Sequence, residues 1–152
     1  MSFYFIYLSL VLALSHGERD WHGLVPLHST RADVERVLGL STDSCKCIYK
    51  TKDEVVYIEY SVGSCKENET GWNTPSDTVI TIRVAPKIRR PILSFNIDES
   101  QYKRTKDLHT QWVYYTNAKE GITFEVAEDG TVGGINYFPK EKDIYLRCPT
   151  HK

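Results

Sequence analysis

The chain has 152 residues and a formal net charge of −1, with positive and negative side chains interspersed. This length supports one domain around one core and is short for two. A near-neutral surface of mixed sign exerts no long-range attraction on nucleic acid or on an anionic membrane, so the sequence predicts no nucleic-acid partner.

The first 17 residues have the pattern of a signal peptide. Residues 3–14 are almost all apolar, and the first charged side chain is that of Glu18. The apolar run is shorter than the ~20 residues that a membrane-spanning helix needs. We therefore expect residues 1–17 to be a signal peptide and residues 18–152 to form a single domain. The alternative is an uncleaved leader that holds the chain at a membrane.

Residues 29–39 are predicted to form one short helix. Thr30 can cap its first turn, and Asp33 can return the hydrogen bond as in a capping box. Three apolar residues fall on one face at helical spacing: Val34, Val37 and Leu38. Gly39 is typical of the residue that ends a helix.

The rest of the chain is predicted to consist mainly of strands and turns. Strands are expected at residues 46–50, 54–61, 78–85, 92–97, 109–116, 122–126 and 131–138. The segment 54–61 is apolar on both faces, which favours an interior position in a sheet. Residues 98–107 are expected to be a polar connection that can include a helical turn, and 142–148 a last short strand or an extended tail. Asp129-Gly130 predicts a hairpin, so the second half is expected to be an antiparallel meander.

Four cysteines follow the predicted leader: Cys45, Cys47, Cys65 and Cys148. An even number in an exported chain predicts disulfides. In a strand, Cys45 and Cys47 would lie about 6.5 Å apart, too far for the Cβ separation of about 3.8 Å in a disulfide. We therefore expect one of the two to bond Cys65 and the other to bond Cys148. One disulfide with free thiols, or a four-thiolate metal site, are the alternatives.

No sequence motif of a known catalytic site is present. The chain has neither a His-Glu-x-x-His zinc motif nor a Gly-x-Ser-x-Gly elbow nor a phosphate-binding glycine loop. The sequence therefore predicts no cofactor and no metal, although His22 and His28 with Asp20 form a weak metal candidate. Two tryptophans outside predicted strands, Trp21 in the N-terminal arm and Trp72 in the loop 64–76, are the candidate binding residues.

Three segments carry a resemblance to other proteins: residues 21–35, residues 71–79 and the ending Leu146-Arg147-Cys148. They resemble a group of small, uncharacterised secreted bacterial proteins, which implies bacterial export and no particular activity. The helix alone, through Thr30, Asp33, Val34, Leu38 and Gly39, is similar to the helix of SmpA/OmlA outer-membrane assembly lipoproteins and of β-lactamase-inhibitor-like domains. In both, that helix precedes an antiparallel sheet.

Taken together, these features predict a disulfide-stapled α+β domain, with a short capped helix packed on a twisted antiparallel sheet. The expected function is that of a non-catalytic exported protein that binds another protein or a cell-envelope component, through a sheet face or the Trp72 loop. The alternatives are a small exported hydrolase with an unrecognised site and a purely structural envelope protein.

Overall fold

The structure, a computed structural model, describes residues 20–65 and 71–149. The predicted signal peptide lies outside these residues. The described residues form one α-helix, eight strands and three 3₁₀ helices. The α-helix and strands are α1 (Arg31–Leu38), β1 (Ile48–Lys50), β2 (Glu54–Tyr60), β3 (Val79–Pro86), β4 (Arg90–Pro91), β5 (Lys103–Lys106), β6 (Val113–Asn117), β7 (Ile122–Val126) and β8 (Thr131–Tyr137). The predicted α+β class, a short helix with an antiparallel sheet, is confirmed.

All eight strands belong to one sheet, in the order β1-β2-β3-β8-β7-β6-β5, with β4 pairing beside them to β8. Every pair is antiparallel. The last four strands of the chain are neighbours in sequence and in space, so the predicted meander is confirmed. The pairing of β3 with β8 joins this meander to the first half, and β2 lies in the interior as predicted.

The helix α1 begins with the predicted capping box. The Thr30 hydroxyl accepts a hydrogen bond from the Asp33 N–H, and the Asp33 carboxylate accepts one from the Thr30 N–H. Gly39 has a φ of 79° and ends the helix. Val34 is fully buried, whereas Val37 is 41% exposed, so the apolar face that meets the sheet is narrower than the sequence indicated.

The hydrophobic core lies on one face of the sheet, in two clusters. The first surrounds α1 and the N-terminal arm; it contains Trp21, Leu24, Val34, Tyr49, Val56, Ile58, Val79, Ile82 and Val84. The second lies beside the meander; it contains Ile92, Ile122, Phe124, Val126 and Val132. Tyr137 of β8 packs against both clusters, so the two parts of the core meet at the junction of the two halves.

Three of the predicted elements are wrong. The expected strand at 92–97 is a 3₁₀ helix, Ile92–Phe95, in which Ile92 alone is buried. The expected connection at 98–107 has its helical turn, the 3₁₀ helix Glu99–Gln101, but it also contains the strand β5, whose four residues are all exposed. Because β5 lies at the edge of the sheet, it carries no alternating apolar pattern and its charged residues protect that edge. The segment 142–148, expected as a last short strand or an extended tail, lies largely in the 3₁₀ helix Glu141–Leu146.

The predicted disulfide pairing is also wrong. Cys45 bonds Cys47, and Cys65 bonds Cys148. The prediction assumed an extended chain at Cys45, but Lys46 has a φ of 51°, in the left-handed region. This turn brings the two Cα atoms to 5.2 Å, within the range of a disulfide. All four cysteines are bonded, which contradicts the free-thiol and four-thiolate alternatives.

The two disulfides indicate that the protein resides in an oxidising environment. None of the helices within residues 20–65 and 71–149 has the length and apolar character needed to cross a bilayer.

Candidate functional site

One face of the sheet is open to solvent, and we call it the open face. Because side chains alternate along a strand, the residues between the buried core positions all point to this side. They include Val55, Tyr57 and Glu59 of β2, Thr81, Arg83 and Ala85 of β3, Asn136 of β8, Thr123 and Glu125 of β7, and Tyr114 and Thr116 of β6. Each of these residues is half-buried or exposed. The open face is therefore a continuous surface of hydroxyl, amide, charged and aromatic groups.

An ion pair occupies the centre of the open face. Arg83 donates from Nε to Oε1 of Glu125 at 3.1 Å and from Nη2 to Oε2 at 2.6 Å. The two residues belong to β3 and β7. On β8, the strand between them, Asn136 is the register partner of Arg83 and Gly134 is the register partner of Glu125. Hydrogen bonding to Glu125 raises the pKa of Arg83 above its usual value. The paired charges cancel, so the centre of the face is polar without a net charge.

Two tyrosines flank this ion pair. The Tyr57 ring lies 5.8 Å from the Arg83 guanidinium, and Tyr57 is 40% exposed. Tyr114 lies on the other side, where its Cα is the register partner of Glu125. Tyrosine and arginine are the residue types that contribute most to protein–protein binding when a partner covers them. The row Tyr57, Arg83, Glu125 and Tyr114 thus has the composition of a recognition surface.

A cavity of about 330 Å³ lies at one end of the open face. Its walls include the open-face residues Glu59 and Thr81, whose side chains are joined by a 3.1 Å hydrogen bond. Trp72 and the Cys65–Cys148 disulfide form another part of the wall. The cavity is therefore continuous with the open face.

Trp72 is held in this wall by the C-terminal segment. Asn73 donates its N–H to the Leu146 carbonyl at 2.7 Å, and Cys148 donates its N–H to the Gly71 carbonyl at 2.9 Å. The Arg147 guanidinium lies 5.5 Å from the centre of the Trp72 ring. The half-buried Trp72 is thereby positioned without being removed from the surface.

The other predicted binding residue, Trp21, lies elsewhere. It is 7% exposed and belongs to the core cluster around α1. Its burial gives it a packing role in the core, so it is not part of the candidate surface.

Histidines and carboxylates do not converge on this surface. The Nε2 of His28 lies 3.4 Å from Oδ1 of the buried Asp143, but neither residue lines the cavity beside Trp72. Within residues 20–65 and 71–149, the one group of three potential metal ligands is Asp43, Cys45 and Cys47. The two sulfurs of that group are bonded to each other, and the disfavoured metal candidate of Asp20, His22 and His28 is not among the groups of potential ligands that the structure brings together.

Sequence reasoning identified only part of the candidate site. The alternation in β3 placed Arg83 on the outer side, and the loop composition singled out Trp72. The pairing of Arg83 with Glu125 depends on β3 and β7 both flanking β8, and no local sequence pattern predicts which strands will be neighbours.

No protein-family model, no curated protein and no solved structure matches this chain.

Proposed function

We propose that this chain is a non-catalytic exported protein that binds another protein through the open face and the adjoining Trp72 cavity. The observation that carries this proposal is the open face itself, a surface spanning β2, β3, β8, β7 and β6 with tyrosines on both sides of a neutralised ion pair. Export is supported by the leader-like segment 1–17 and by the two disulfides.

The chemistry of the surface favours a protein as the partner. Arg83 is neutralised by Glu125, so the centre of the face does not select an anionic polymer or an anionic membrane. Tyr57, Tyr114 and Trp72 supply rigid aromatic area, and the threonine hydroxyls around them supply donors and acceptors. Such a mixture is characteristic of protein interfaces, whose central aromatic and arginine residues supply most of the binding free energy.

Site-specific photo-crosslinking tests the proposal. A photoreactive phenylalanine analogue replaces Tyr57, and in a matched variant it replaces Tyr145, which is 74% exposed and lies outside both the open face and the cavity lining. Each protein is irradiated with the secreted and envelope fractions of the organism that makes it. We expect a discrete protein adduct from position 57 that is absent from position 145.

Competition then identifies the surface used. An excess of wild-type protein is expected to abolish the adduct, whereas the double variant Tyr57→Ala/Tyr114→Ala competes at least tenfold less well. Identical adducts from positions 57 and 145, or equal competition by both proteins, would contradict binding at the open face. Trp72→Ala as a third competitor reports whether the cavity belongs to the same interface.

Export is tested separately. The mature protein is recovered outside the cytoplasm and its N-terminus is sequenced. We expect the chain to begin at Glu18 and both disulfides to be intact. Recovery of the full-length chain with reduced cysteines in the cytoplasm contradicts the export part of the proposal and leaves the crosslinking result as an independent test of binding.

A further inference from the structure

The disulfide between Cys45 and Cys47 differs from the other one in what it does for the fold. It joins residues two positions apart, whereas the Cys65–Cys148 bond joins residues 83 positions apart. A cross-link that closes so short a loop removes little conformational freedom from the unfolded chain. From chain entropy we therefore expect the Cys65–Cys148 bond to stabilise the fold strongly and the Cys45–Cys47 bond to stabilise it only weakly.

The turn that brings these two cysteines together is held by hydrogen bonds that do not involve the disulfide. The Asp43 carboxylate accepts the N–H groups of Cys45, Cys47 and Ile48 at 3.0, 3.4 and 2.9 Å. Through its hydroxyl, Ser41 donates a further hydrogen bond to the same carboxylate. Because these bonds fix the backbone on both sides of Lys46, the turn does not depend on the sulfur–sulfur bond.

The carbonyl of Lys46 provides a second anchor. It accepts hydrogen bonds from Nη1 of Arg31 at 2.8 Å and from the Tyr49 hydroxyl at 3.2 Å. Arg31 belongs to α1 and Tyr49 to β1, so the middle residue of the turn is tied to both neighbouring elements. On reduction, the two thiols are therefore expected to remain beside each other, in position to close the bond again.

The two sulfurs also differ in access. Cys45 is exposed and Cys47 is half-buried, and the turn lies at the surface, before the short edge strand β1. In the other disulfide, Cys148 is 5% exposed and Cys65 is half-buried, so neither of its residues is exposed as Cys45 is. Oδ2 of Asp43 lies 2.6 Å from Sγ of Cys45, so a thiolate of another molecule must approach this sulfur from its solvent side. Disulfide exchange depends on such access.

We propose that Cys45 and Cys47 form a redox-active dithiol–disulfide couple that exchanges with cysteine pairs of other proteins. A thiolate of a partner dithiol attacks Sγ of Cys45, the Cys45–Cys47 bond breaks, and Cys47 leaves as a thiolate that takes up a proton. The second thiolate of the partner then attacks the partner's own sulfur in the mixed disulfide, and Cys45 leaves as a thiolate that takes up a proton. Two electrons pass to Cys45 and Cys47, and the partner pair becomes a disulfide. Exchange with a partner disulfide runs the same steps in reverse.

Equilibration in dithiothreitol buffers of graded reduced-to-oxidised ratio tests the couple on the folded, full mature chain. Samples are quenched with acid and alkylated, and the modified cysteines are assigned by mass spectrometry. We expect Cys45 and Cys47 to become half-reduced at a ratio at least tenfold lower than Cys65 and Cys148 require. The far-ultraviolet circular dichroism is expected to stay unchanged, and oxidised glutathione to restore the Cys45–Cys47 bond. Reduction of both disulfides at the same ratio, or only with loss of the dichroism signal, would overturn the proposal.

Two single variants form a matched pair for the exchange step. Cys47→Ser leaves the exposed Cys45 without its resolving partner, and Cys45→Ser leaves only the half-buried Cys47. With a model peptide that contains a disulfide, Cys47→Ser is expected to accumulate the mixed disulfide at least tenfold faster than Cys45→Ser. Equal rates for the two variants would overturn the assignment of Cys45 as the sulfur that exchanges with the partner.

Discussion

Arg83 and Glu125 are joined by two hydrogen bonds across a strand to which neither belongs. Arg83 lies on β3 and Glu125 on β7, and β8 runs between them. The pair spans this strand because β8 has a glycine there: a Cβ on Gly134 would meet Oε2 of Glu125 and lie 2.9 Å from its Cδ. The ion pair and the glycine therefore form one structural unit at the centre of the open face.

Replacement of Gly134 by alanine tests this unit. The added methyl group must displace the Glu125 carboxylate, so we expect Gly134→Ala to lower the free energy of unfolding by about 1–2 kcal/mol. In a Glu125→Ala background the same change has no carboxylate to displace. In that background, the loss in free energy of unfolding caused by Gly134→Ala is expected to be smaller by about 1 kcal/mol, as measured by a double-mutant cycle in urea. An equal cost in both backgrounds contradicts the coupling.

The two disulfides are predicted to differ in their effect on stability. In the chain-entropy model, the Cys65–Cys148 bond stabilises the fold by about 4.5 kcal/mol and the Cys45–Cys47 bond by about 1.5 kcal/mol. Cys65→Ser/Cys148→Ser is therefore expected to lose much more stability in guanidinium unfolding than Cys45→Ser/Cys47→Ser. A larger loss from the second variant would mean that the Cys45–Cys47 bond has a structural role that its short loop does not predict.

Stability is expected to depend on Asp43 in acid. Hydrogen bonds from the Ser41 hydroxyl and from the N–H groups of Ile48, Cys47 and Cys45 lower the pKa of Asp43 from 3.8 to about 2. A lowered pKa in the folded state means that the carboxylate stabilises the fold fully above its unfolded pKa and loses this effect as the pH falls towards its folded pKa. The contribution of Asp43 is therefore present above pH 4 and lost between pH 4 and 2.

Thermal unfolding from pH 7 to pH 2 measures this contribution. Above pH 4, Asp43→Asn is expected to have a melting temperature that is lower than that of the wild type by a constant amount. Between pH 4 and 2 this difference in melting temperature is expected to shrink. Asp53→Asn, in the exposed turn between β1 and β2, is the matched control. If the difference in melting temperature between Asp43→Asn and the wild type does not change with pH, the charge of the Asp43 carboxylate does not contribute to stability.

Helix α1 offers two valines with different environments. Val34 is fully buried and Val37 is 41% exposed. Val34→Ala is expected to lower the free energy of unfolding by about 2 kcal/mol, because it leaves a cavity in the core. Val37→Ala on the same helix is expected to change it by about 0.5 kcal/mol or less. Similar losses from both variants would show that the helix packs on the sheet in another orientation.

Only those residues of the candidate site that follow a local sequence pattern could be predicted from the sequence. Alternation in β3 correctly placed Arg83 on the outer side, and the composition of the loop around Trp72 marked a surface aromatic residue. The role of Trp72 in binding stays a prediction. Trp21 was selected on the same grounds and is buried, because the sequence pattern of the arm does not report that it folds back onto the core.

The sequence by itself determined the elements that depend on near neighbours along the chain. These elements are the capping box of Thr30 and Asp33, the alternation of β3 and the meander of the second half. All three arise from contacts or periodicities within a few residues. Tertiary structure alone decided the edge strand β5, the open face and the partners of the four cysteines. Edge position depends on which strands remain unpaired, and Cys65 meets Cys148 across 83 positions of sequence. The bond between Cys45 and Cys47 depends on a left-handed Lys46, which Arg31 and Tyr49 stabilise from two other elements.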